Sequence, residues 1–186
     1  MTRFAIHLTT LCALSLIGIS SLKAADASPD ARQIFDTQLS STEREVVGLT
    51  EAMPADKFDF APTAGNFKGV RTFALEARHI AFEINTVAAA LLGEAIPAQE
   101  HDNGPDNLKT KDQIVKYLKD AFAHAHRAVA TINNSNLLEQ TTDPFNPKGK
   151  RTRVDSVAIF YWHTYDHYGQ MVEYLRMNGL VPPASR

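Results

Sequence analysis

Apolar residues recur at steps of three and four in four stretches of the chain, the period of an α-helix with one buried face. No stretch shows a convincing strand alternation. The first stripe carries Phe35, Leu39, Thr42, Val46, Leu49 and Met53, opens at Ser28-Pro29 with proline in its first turn, and stops at Pro54. The second runs from about Thr72 to Leu92 through Phe73, Ala77, Ile80, Ile84, Val87 and Leu91, with Gly93 to end it. It is apolar enough to be largely buried. The third opens at Thr110-Lys111-Asp112-Gln113, a capping-box spacing, and continues through Ile114, Leu118, Ala121, Ala125 and Ile132 to the break at Asn133-Asn134-Ser135-Asn136. The fourth begins near Thr152 and runs to Asn178-Gly179, ahead of Pro182-Pro183. The pattern predicts an all-α, four-helix bundle over residues 28–183 with long connecting loops. Those loops, at about 54–71, 94–109 and 133–152, exceed the usual 2–8 residues of a bundle connection, so they leave the helix directions open. Segments 54–71 and 133–152 are the ones expected to rim a pocket.

The residues before the first helix read differently. Arg3 precedes twelve almost uninterrupted apolar residues, Leu8 to Ile19, and small residues follow at Ala24-Ala25-Asp26-Ala27. That order predicts a signal peptide over residues 1–24, with cleavage as late as 27, and a secreted or periplasmic protein. The apolar run falls short of the ~20 residues that span a bilayer, so no membrane anchor is expected after cleavage. Cys12 is the only cysteine of the chain and goes with this segment. The mature chain then has no disulfide, no thiolate ligand and no cysteine nucleophile, and any metal falls to His, Asp, Glu or carbonyl oxygen. Cleavage after Ala24 removes Arg3 and Lys23 and no acid, leaving 17 basic against 21 acidic side chains. Without a basic surplus, nucleic acid is not an expected partner. A small-molecule substrate or ligand is expected, and a homodimer is compatible with the pattern.

Among the histidines, His163 and His167 stand four apart in His163-Thr164-Tyr165-Asp166-His167, one helical turn, and so share a face with Ile159, Phe160, Gln170, Met171 and Tyr174. Two imidazoles on one inward face can ligate one ion, or be buried side chains bonded to backbone or tyrosine hydroxyls; the spacing fits both. His79 lies in the row Glu76, His79, Glu83, Thr86 at the edge of the second stripe, where a third imidazole can converge. Three histidines from two helices would form an open metal set with a position left for water or substrate, and Glu76, Glu83 or Asp166 could orient a ligand or accept a proton. His124 and His126, two apart, diverge by about 160° and cannot both face one ion. His101 falls in a polar loop. A di-iron carboxylate set is incomplete because Glu76-Ala77-Arg78-His79 has no second Glu-x-x-His, and no C-x-x-C-H exists for a c-type haem.

Gly69-Val70-Arg71-Thr72-Phe73 leads into Arg78-His79-Ile80-Ala81; His163 and His167 continue as Tyr168-Gly169-Gln170; and the end reads Tyr174-Leu175-Arg176-Met177-Asn178-Gly179-Leu180-Val181-Pro182-Pro183. With these strings the chain resembles the DinB/YfiT-like superfamily over essentially its whole mature length. The resemblance implies a four-helix bundle holding one divalent metal, commonly zinc or nickel, through His79, His163 and His167. It also implies a metal-dependent hydrolase or transferase acting on a small molecule, or a bundle whose ion is structural. The superfamily includes transferases that activate low-molecular-weight thiols and a thiol-dependent isomerase, whose thiol-binding residues have no counterpart that can be matched here.

Overall fold

The computed structural model describes residues 29–98 and 102–186. The expected signal peptide, Cys12, Ser28 and His101 lie outside the described residues. Four helices form: α1 (Ala31–Ala52), α2 (Phe73–Leu92), α3 (Lys111–Val129) and α4 (Arg153–Met177). Their ends follow from local chemistry. The Asp30 side chain accepts from Arg32 N and starts α1 two residues after the expected Ser28. Thr72 caps α2 through Leu75 N, and Gly93, at φ 71°, takes the left-handed turn that ends it. Thr110 and Gln113 close a reciprocal capping box on α3.

Each helix turns its apolar stripe inward. Leu39, Leu49, Phe73, Ile80, Leu118, Phe122, Phe160 and Met171 are fully buried in one shared core. In the bundle α2 packs on α3 and α4, and α1 packs on the same two, so α1 and α2 are diagonal partners. The directions that loop length left open are fixed by contacts at the two ends. Ala31 N donates to Asn134, just beyond α3, while Arg153 at the start of α4 reaches Leu91 O at the end of α2. At the other end, Lys111 Nζ donates to the carbonyls of Glu51 and Met53, and Phe73 N to Phe60 O. The topology is therefore up, down, down, up. Only the α2–α3 connection must run the length of the bundle.

The all-α bundle is as expected, with one small addition that no alternation announced. Gln140–Asp143 (β1) and Asn146–Thr152 (β2) form an antiparallel hairpin, with Gln140 opposite Thr152 and Thr142 opposite Lys150. Phe145 N donates to Asp143 Oδ1 at the turn. The hairpin buries no apolar face of its own, so it carries no alternation to read. Thr141 Oγ1 pins it to the end of α2 by donating to Ala90 O at 2.6 Å. Among the described residues no helix is long and apolar enough to cross a membrane.

Candidate metal centre

His79 stands in the second turn of α2, and His163 and His167 lie on the face of α4 that meets it. The three rings come together. Their centroids are 5.1 Å apart for His79 and His163 and 4.6 Å for each of the other two pairs, and one ligand atom from each lies within 4.8 Å of the others. That separation lets three nitrogens face one ion.

Two of the rings are held in a defined tautomer. His167 Nδ1 donates to Glu76 Oε2 at 2.6 Å, and His79 Nδ1 donates to the main-chain carbonyl of Asp102 at 2.6 Å. A carbonyl or carboxylate oxygen only accepts, so Nδ1 is the donor in both rings and Nε2 is the atom left to face a ligand. His79 and His167 are buried and His163 is half-buried. Burial lowers the pKa of His79, and burial with the neighbouring imidazoles and Arg71 lowers that of His163 to about 3. Both rings are thus neutral at pH 7, the form that can bind a cation.

The acids named from sequence separate into three situations. Glu76, 2% exposed, is committed to His167. Glu83 is 5% exposed, its Oε2 has no partner among the described residues, and burial reinforced by the Asp102 charge pushes its pKa up to about 7. Asp166 is exposed and bonds none of the three histidines. Sequence reasoning missed Asp102, Asn103 and Arg71 as parts of the site. Arg71 Nη2 meets Asp102 Oδ2 at 2.9 Å, and its Nε donates to Asn103 Oδ1 at 2.7 Å.

Gly69, Val70, Arg71, Asn103 and Gln170 join Glu76 and His167 around a cavity of about 400 Å³. One expected rim, 54–71, supplies its first residues. The other, 133–152, folds as the hairpin at the opposite end, and the α2–α3 connection takes its place. A larger cavity of about 560 Å³ lies between α2 and α3, lined by Phe82, Asn85, Tyr117 and His124 and by none of the three site histidines. His124 bridges Asn85 and Glu94, and His126 bridges Asp36 and Glu43, so neither faces the site.

A family model described as DinB superfamily matches residues 38–171. Among solved structures, a DinB-like protein from Bacillus cereus ATCC 10987 is similar in fold, with a TM-score of 0.65 at 16% identity, over 81% of this chain and 95% of that one. No curated protein matches the chain.

Proposed function

The chain belongs to the DinB superfamily, and from that premise we propose an exported protein that holds one divalent ion, zinc or nickel, and acts as a hydrolase or transferase on a small molecule. The observation that carries the reading is the meeting of His79, His163 and His167, two of them with Nε2 freed by a partner on Nδ1. These residues fit the ion by the chemistry of the donor set: imidazole nitrogens suit zinc and nickel, and no thiolate is required. When bound, such an ion supplies Lewis acidity, lowering the pKa of a water or polarising a carbonyl.

The chain's own residues supply the rest. Glu76 and the Asp102 carbonyl hold two rings in place. Glu83, buried, unpartnered and with a pKa near 7, is the group suited to take up and return a proton at neutral pH. A structural ion would call for a fourth protein ligand, yet Glu76 is spent on His167 and Glu83 stands outside the group of converging ligand atoms. That favours the open site. The adjoining cavity, about 400 Å³, suits a small molecule rather than a polymer.

The test starts from the chain expressed with its own N-terminus. Mass spectrometry of the exported protein is expected to find a mature end between Ala25 and Ser28, and elemental analysis one zinc or nickel per chain. His163→Ala is expected to lose the metal and keep the helical circular dichroism. A folded wild-type chain that takes up neither ion overturns the metal reading, and a cytosolic chain beginning at Met1 overturns export. A loaded protein inert toward a panel of small esters, amides and thiol adducts gives way to a bundle that only holds its ion.

A further inference from the structure

His79 and His167 are oriented by unlike means. The partner of His167 is a side chain on a helix, Glu76, whereas the partner of His79 is a main-chain carbonyl in the α2–α3 connection, where the described residues 102–110 form no helix or strand. Side chains fix the residues that carry that carbonyl. Arg71 does so from two directions, through the carboxylate of Asp102 at 2.9 Å and the amide oxygen of Asn103 at 2.7 Å. Its own backbone is tied down, because Tyr174 Oη donates to the Arg71 carbonyl at 3.1 Å and the next residue, Thr72, caps α2. Arg78, nearly buried, holds the following residues by donating to the carbonyls of Gly104 at 3.0 Å and Pro105 at 2.8 Å.

We propose that Arg71 is a positioning residue of the metal centre: by gripping Asp102 and Asn103 it aims the Asp102 carbonyl at His79 Nδ1 and so presents Nε2 to the ion. The inference rests on the metal-holding reading above. An arginine is suited to it, because its planar fork donates from Nε and Nη2 to two adjacent acceptors, which a lysine ammonium cannot do in the same geometry.

The variants are Arg71→Gln, Arg71→Lys and Asp102→Asn, each read by zinc competition against a chromophoric chelator and by long-range ¹H–¹⁵N spectra of the histidines. Arg71→Gln is expected to weaken zinc binding about 10–100-fold, the range for losing a group that orients a ligand. It should also convert His79 from one Nδ1–H tautomer to a mixture while His167 keeps its own. Arg71→Lys recovers part of the loss. Asp102→Asn keeps the carbonyl but loses the ion pair, so it weakens binding in the same sense and adds little to Arg71→Gln in the double variant. A folded Arg71→Gln protein with wild-type zinc affinity, or with the His79 tautomer unchanged, overturns the proposal. If Arg71→Gln does not fold, the other two variants decide by the same readouts. If the wild-type chain binds no zinc, the metal reading fails, and the tautomer spectra still decide the role of Arg71.

Discussion

Replacing Glu76 with alanine removes the acceptor of a 2.6 Å bond from His167 Nδ1 at a position 2% exposed to solvent. Two consequences follow from the geometry. The His167 N–H is left buried without an acceptor, at about 1–3 kcal/mol in the metal-free protein. At roughly 2–4 °C per kcal/mol for a domain of this size, the middle of that range lowers Tm by roughly 4–8 °C. Without its partner the ring also rotates and samples both tautomers, so Nε2 is no longer always presented and zinc affinity drops about 10–100-fold, which is ~1.4–2.7 kcal/mol. Glu76→Gln separates the two effects of the carboxylate. An amide oxygen still accepts from Nδ1 but carries no charge, so its losses in Tm and affinity should be the smaller. Calorimetry of the metal-free proteins and chelator competition of the loaded ones measure both quantities. An alanine variant with wild-type affinity, or a glutamine variant weaker than the alanine one, would refute the reasoning.

Two further outcomes are expected. His163, held near pKa 3 against 6.5 in the unfolded chain, contributes stability that is complete above pH 6.5 and lost as pH falls toward 3. Glu83, raised to about 7 from 4.5, acts in reverse, its contribution falling as pH rises from 4.5 to 7. In metal-free protein the two oppose each other between pH 4.5 and 6.5. Relative to wild type, His163→Gln should therefore make stability fall with rising pH there, and Glu83→Gln make it rise, each by on the order of 2 kcal/mol after allowance for solvent screening. Urea titrations at pH 4.5, 5.5 and 6.5 measure it, and parallel profiles for all three proteins would contradict it. Thr141→Val, which unpins the hairpin at the far end of the bundle, should cost about 1 kcal/mol or less and leave zinc affinity unchanged. An affinity loss in that variant would mean that the hairpin supports the site.

The helices were legible because each announces itself within a few residues: the Thr110–Gln113 box, the Thr72 cap, Gly93 and the three-and-four stripes all act locally. The two α4 histidines of the site were legible for the same reason, being one turn apart. Local chemistry is silent on partners set by the path of a connection. Asp102 meets His79 across 23 residues and Arg71 across 31, and lies in a connection whose sequence has no period to count. Asp166 shows the converse, since it stands near both histidines in sequence yet is exposed and bonds neither. The hairpin escaped because strand reading relies on an apolar face, and the residues of these two strands are almost all polar.

The separation of the site residues along the chain also sets an order of events. Glu76 and His167, which touch, are 91 residues apart, and two of the three imidazoles belong to the last helix. A chain still being synthesised presents one site histidine until α4 has emerged. Contacts of such long range form only after the loops between them have closed. The three imidazoles therefore meet only once α4 has docked on α2, and a fragment that stops before α4 carries one of the three.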